Sequence, residues 1–184
     1  LTAEEIRDSI LAVCGNLNLS KKSGPSIYPR ISQEVLAGQS RPGAGWDTSN
    51  QEDAAARSVF VHVKRSLALP ILAAFDAPDP DAPCPVRFST TQPTQALGML
   101  NSQFLNSQAA VFATNTQAVS GAEPRRQVEF VLRRVLQRTP TPEEIDRGVA
   151  YLRRNTEEKG VSSSEALRRF CLLAINLNEF VYIE

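Results

Sequence analysis

The stretch that decides the fold is Pro124-Arg125-Arg126-Gln127-Val128-Glu129-Phe130-Val131-Leu132-Arg133-Arg134-Val135-Leu136. Val128, Val131, Leu132, Val135 and Leu136 recur at three- and four-residue steps. At 3.6 residues per turn they share one side of a helix. Proline suits the first position, where its missing N–H would have no partner anyway. Next, Thr141-Pro142-Glu143-Glu144 reads as a capping box ahead of Ile145, Val149 and Leu152, with Gly160 as a helix-ending glycine. Ser162 and Glu165 cap a last helix carrying Leu167, Phe170, Cys171, Ala174 and Ile175. Three short-linked amphipathic helices over residues 123–184 must bury their stripes against a neighbour.

Toward the N-terminus the pattern loosens. A helix is predicted over Thr2 to Asn16, boxed by Thr2 and Glu5, with Ile6, Ile10, Val13 and Leu17 on one face. Residues 18–50 carry Gly24-Pro25 and Pro42-Gly43-Ala44-Gly45 and read as an irregular loop region. In it Trp46 is either a stacking or partner-binding aromatic or, the favoured reading, a large side chain pinning the loop to the core. Helix formers from Glu52 to Arg57 lead into Val59, Val61 and Val63, which alternate with Phe60, His62 and Lys64 as a short half-buried strand would. With no obvious partner strand in this chain, the segment either pairs with another part of the parent protein or is helix. Pro70 starts a helical turn. Pro78, Pro80, Pro83 and Pro85 then enforce an extended connector, because proline lacks a donor and restricts its predecessor. Residues 89–93 start another helix, single or broken near Asn101-Ser102, and Thr114 to Ala122 reads as a linker. The expected architecture is mainly α: an irregular helical bundle with long Pro/Gly-rich loops and at most one short strand. Residues 1–184 are expected to form a single domain.

Twenty basic and twenty acidic residues balance to zero. That disfavours nucleic acid as a partner, since phosphate contacts need a basic face, and also a polybasic membrane anchor. No apolar run reaches the roughly 20 residues of a membrane span. The chain opens into helical sequence without a leader pattern, so it is expected to be a piece of a longer protein. Cys14, Cys84 and Cys171 are odd in number and widely spaced, unlike a disulfide framework or a zinc site. Cys14 and Cys171 fall on apolar stripes and read as buried thiols.

One set of strings is specific in order and spacing. Glu5-Ile6-Arg7-Asp8 and Gly24-Pro25-Ser26-Ile27-Tyr28-Pro29 are followed by Val63-Lys64-Arg65-Ser66-Leu67 and Phe75-Asp76-Ala77-Pro78-Asp79-Pro80. Cys84-Pro85, Ser89-Thr90-Thr91, Pro93-Thr94-Gln95-Ala96-Leu97, Leu100-Asn101 and the closing Ile175-Asn176-Leu177-Asn178-Glu179-Phe180-Val181-Tyr182 complete the set. Together they resemble a planctomycete family of unknown function found C-terminal to cytochrome-c-like domains in large exported proteins. The likeness extends over nearly the whole chain, as the C-terminal portion of that family's domain. It implies a periplasmic or cell-surface location and partners among the upstream domains of the same protein, and it brings no catalytic residue. No C-x-x-C-H haem signature occurs here, so no cofactor is expected in this portion.

The most chemical-looking residues are Asp76, Asp79 and Asp81 in the proline-rich connector. A stiff loop of carboxylates and carbonyls would suit calcium, but the spacing is not that of an EF-hand, and turn-capping is the favoured role. Arg87, with Lys64 and Arg65, either pairs with these aspartates or joins Thr90 and Thr91 in an anion pocket at a helix start. His62, the only histidine, would have to serve any Ser–His or Cys–His pair. Yet it lies in a β-patterned run facing opposite the valines, where a packed or exposed histidine is the favoured reading. The arginine pairs at 125–126, 133–134, 153–154 and 168–169 read as solvated faces with local ion pairs. Two functions remain: an interaction or scaffold module, or the C-terminal part of an extracellular enzyme, polysaccharide-directed, with residues 76–91 near its site.

Overall fold

Cap chemistry and proline placement set where the helices begin. In the computed structural model, which describes residues 1–80, 82–87, 90 and 92–182, the helices are α1 (Ala3–Val13), α2 (Gln33–Ala37), α3 (Gln51–Ala54), α4 (Pro70–Ala74), α5 (Pro93–Asn101), α6 (Gln103–Ser120), α7 (Pro124–Leu136), α8 (Pro142–Glu157), α9 (Ser163–Ala174) and α10 (Asn178–Val181). One 3-10 turn spans Ser58–Phe60. The protein is mainly α, and no sheet forms among the described residues. Pairing is confined to single bridges, Asn18 with Ala56, Ile27 with Val61 and Lys64 with Leu67. Backbone contacts group the chain into two compact units: Leu1–Ala12 with Asn16–Phe104, and Val13–Gly15 with Leu105–Glu184.

The first unit is held largely by side chains bonded to backbone. Thr2 and Glu5 make the expected box: the Thr2 amide donates to Glu5 at 2.8 Å, and the Glu5 amide donates to the Thr2 hydroxyl at 3.3 Å. Arg7, 1% exposed, shares its face with Ala3, Ile10 and Leu11, all buried. Its guanidinium donates to Ala54 O (2.6 Å), Ala56 O (3.0 Å) and the Ser58 hydroxyl (3.0 Å), and lies 5.7 Å from the centre of the Phe104 ring. Asp8 accepts from the Ser58 amide and hydroxyl, both at 2.7 Å. A buried charge is tolerated where most of its donors are used, and here both terminal nitrogens are bonded while the buried Nε finds no partner among the described residues. Burial nevertheless lowers the Arg7 pKa to about 10, with Asp8 opposing the shift.

These bonds fix residues 54–58, and the expected strand does not develop beyond them. The 3-10 turn at Ser58–Phe60 changes the phase of the following residues. Val61 alone of the three valines is buried, while Val59 and Val63 are 71% and 74% exposed. Ile27 and Val61 form one parallel bridge, with the Ile27 amide on Phe60 O and the His62 amide on Ile27 O. Within the 18–50 region, Trp46 is buried and its indole N–H donates to Pro29 O at 3.1 Å. The ring pins the loop, as a large amphipathic side chain does when its polar edge finds a partner.

The second unit is ordinary helix packing. α7, α8 and α9 pack on one another through Val128, Val131, Val135, Ile145, Leu152, Leu167 and Phe170. Each such side chain contributes roughly 1.5–3 kcal/mol by leaving water. Gly148 in α8 permits the approach: a Cβ there would stand 2.5 Å from Val128 Cγ1 and 3.0 Å from Phe170 Cζ. The Thr141–Glu144 box and the Ser162 cap form as the sequence indicates, and Gly160 turns through a positive φ of 63°. The linker expected at 114–122 is helix instead, since α6 continues to Ser120. Phe112, Ala113 and Thr116 are buried there, and the Thr114 and Thr116 hydroxyls donate to Ala110 O and Phe112 O one turn back. Small polar residues remain helical when their hydroxyls are satisfied in this way. The break comes at Ser102, between α5 and α6.

Candidate functional site

The connector leaves α4 at Phe75, which is buried, and turns at Asp76, whose φ is +58°. Aspartate is among the few residues that tolerate this left-handed conformation. There its carboxylate accepts from the Thr90 amide at 2.7 Å and the Thr90 hydroxyl at 2.8 Å. Gln95, buried in the first turn of α5, completes the closure. Its Nε2 donates to Ala74 O (3.1 Å) and Thr90 O (3.0 Å), and its Oε1 accepts from the Gln92 amide (3.1 Å). The end of α4, the returning loop and the start of α5 are thus tied through two side chains.

Arg87 is directed elsewhere. Its guanidinium meets both carboxylate oxygens of Glu4 in α1, at 3.1 and 2.9 Å. Lys64 donates to Ala44 O. Asp79 is exposed, and its carbonyl accepts from the Ala82 amide at 3.3 Å. Asp81 and Thr91 lie outside the described residues. Of the predicted site residues, Asp76 and Thr90 come together, while Arg87 pairs with Glu4. Among the described residues, no group of three or more His, Cys, Asp or Glu stands where it would hold a metal ion.

A second constellation lies in the same unit. The His62 ring tilts over Tyr28 with centroids 4.7 Å apart, and Trp46 meets Tyr28 edge-on at 5.7 Å and His62 at 6.0 Å. Such offset and edge-on arrangements are the favoured ones for aromatic rings. The histidine therefore serves as a wall of the packed loop. Two of the three thiols are equally committed. Cys14 and Cys171 are fully buried, and burial pushes Cys14 up to about 12 and raises Cys171 as well. A buried thiol held in its protonated form is a poor nucleophile at neutral pH. Cys84 is exposed, its Sγ 3.3 Å from Val86 O.

Sequence reasoning missed Arg7, Glu4 and Gln95. Arg7 had a visible signal, a lone charge spaced four residues from both Ala3 and Leu11 on the apolar stripe. Gln95 had one too, standing three residues after the residue that precedes a helix-starting proline. Glu4 had none, because its partner is 83 positions away.

A family model described as PSD1, protein of unknown function (DUF1553), matches residues 1–152. The chain belongs to this family. The DUF1553 match takes in the whole first unit and ends inside α8, so Arg7, Trp46, Asp76 and Gln95 all lie within it. The closing string from Ile175 to Tyr182 lies beyond it. No curated protein and no solved structure matches this DUF1553 chain. No helix among its described residues is long and apolar enough to cross a membrane.

Proposed function

We propose that this DUF1553 chain is an interaction or scaffold module of an exported multidomain protein, of planctomycete type, whose partners are that protein's own upstream domains, cytochrome-c-like among them. The observation that carries this reading is the presentation of Val59 and Val63. Each is more than two-thirds exposed, on a backbone held by the Arg7 and Asp8 bonds and the Ile27–Val61 bridge. Apolar side chains on a pre-fixed backbone bind at low entropic cost. The polar residues of the shared strings support the same reading. Asp76 is occupied by Thr90 and Arg87 by Glu4, whereas a catalytic role at 76–91 would need them to converge on one point. The location at the periplasm or cell surface rests on the family resemblance.

The test is direct. The upstream part of the parent protein is produced separately and titrated with this chain by calorimetry. A saturable heat that Val59→Asp with Val63→Asp abolishes is the expected result. No heat at tens of micromolar of each component, or binding indifferent to the double substitution, would remove the reading.

A further inference from the structure

The second unit holds an open cleft of about 470 Å³, lined from the end of α6, the start of α7, the last turns of α8 and the first turn of α9. Its floor is aliphatic: Leu152 and Ala166 are buried, and Ala122 and Pro124 stand beside them. Two polar groups on its wall are incompletely used. Arg153 is exposed and has no acidic partner among the described residues. Arg125, Arg126, Arg133, Arg138, Arg168 and Arg169 in the same unit each meet an Asp or Glu. Gln127 is only 7% exposed; its Nε2 is committed to Gly121 O, and its Oε1 accepts from no side chain or amide among the described residues. No lining residue is acidic. Glu123, next to the lining, turns its carboxylate to the amides of Arg125 and Arg126.

We propose that this cleft binds an N-acylated α-amino carboxylate with a small aliphatic side chain, which is the chemistry of a peptide C-terminus. A guanidinium fork matches a carboxylate through two parallel bonds. Gln127, which lines the same cleft as Arg153, can accept from a donor near that carboxylate, and an acylated amino acid carries an amide N–H there. Inorganic phosphate fits worse, since it leaves the aliphatic lining at Ala122, Pro124, Leu152 and Ala166 uncovered. An aliphatic side chain would cover Leu152 and Ala166, where an aromatic ring finds no aromatic partner.

The experiment is an amide-resolved NMR titration of the full chain with N-acetyl-leucine, its carboxamide, sodium acetate, sodium phosphate and a pentapeptide ending in leucine. The expected result is saturable shifts at Gly121, Gln127, Arg153 and Ser163 with N-acetyl-leucine. Binding should weaken at least about tenfold for the carboxamide and for Arg153→Gln, as loss of a charged hydrogen-bonding partner predicts. Arg153 is exposed, so the variant's own spectrum verifies its fold. A pentapeptide that binds tighter than N-acetyl-leucine identifies a chain end as the ligand, and equal binding identifies the free acylated amino acid. Either outcome supports the site. Absence of saturable shifts with any probe, equal binding of acid and carboxamide, or acetate or phosphate matching N-acetyl-leucine would overturn it.

Discussion

The two units reach order by different routes. In the unit spanning Val13–Gly15 and Leu105–Glu184, apolar stripes at helical spacing face one another and the caps are local. In the unit spanning Leu1–Ala12 and Asn16–Phe104, short helices and long loops are tied by a few polar side chains that reach distant backbone. The second route concentrates stability in single residues, because a buried carbonyl left without its donor costs much more than the net worth of the bond it loses. The first spreads stability over many contacts, none decisive alone.

The largest test of this contrast is Arg7→Ala. It strips the donor from Ala54 O, Ala56 O and the Ser58 hydroxyl and leaves a cavity, so a loss of about 3–5 kcal/mol is expected by urea denaturation. Trp46 is the only tryptophan and belongs to the same unit, so its fluorescence reports that unit's transition. If the variant unfolds within 1 kcal/mol (roughly the ordinary mutational scatter) of the parent, the idea of a polar keystone fails.

Gly148→Ala is next, at about 1–3 kcal/mol destabilising, read from the melting curve by circular dichroism. Alanine's better helix propensity offers roughly 1 kcal/mol, but a Cβ only 2.5 Å from Val128 Cγ1 and 3.0 Å from Phe170 forces repacking that outweighs it. A stabilised variant would show that α8 has room to shift.

Asp76 allows a finer comparison. Asp76→Ala loses the bonds to Thr90 and places alanine at positive φ, for an expected cost of about 1–3 kcal/mol. Asp76→Gly loses the same bonds without the backbone strain and should be the milder variant by roughly 1 kcal/mol. Equal losses in denaturant titrations would mean that the conformation carries no strain.

The smallest effect is electrostatic. The Arg138 guanidinium bonded to Glu144 holds that carboxyl at about 2, and Glu179, bonded to the same guanidinium, is also lowered. A depressed acid stabilises the fold above its unfolded value near 4.5, and that contribution is lost as pH falls toward 2. The pair is exposed and solvent-screened, so its contribution is the smallest of the effects compared. Glu144→Gln should flatten the stability profile between those pH values and leave its upper part nearly parallel to the parent's.

Legibility follows the same division. The boxes at Thr2 and Thr141, the Ser162 cap and the stripes of α7 to α9 were readable because cap and periodicity act over a few residues. The choice between one helix and two at Asn101-Ser102 was left to the structure. The choice between strand and helix near 58–64 was not legible, because Arg7 and Asp8, some fifty positions earlier, hold the backbone that enters it. The linker expected at 114–122 failed because composition alone does not reveal that hydroxyls will bond back to the helix. At the candidate site the carboxylate of Asp76 was visible, but its engagement with Thr90 depends on a left-handed turn that no local pattern announces.

Residues 13–15 group with the second unit although the long first-unit segment Asn16–Phe104 follows them in sequence. Asn115 donates to Cys14 O at 2.8 Å and Arg134 to Val13 O at 3.2 Å. A recombinant fragment beginning at Leu105 would lose both acceptors together with the buried Val13 and Cys14. Splitting the gene between the units therefore yields an incomplete C-terminal half, and supplying the missing tripeptide through a circularly permuted chain is the way to isolate it.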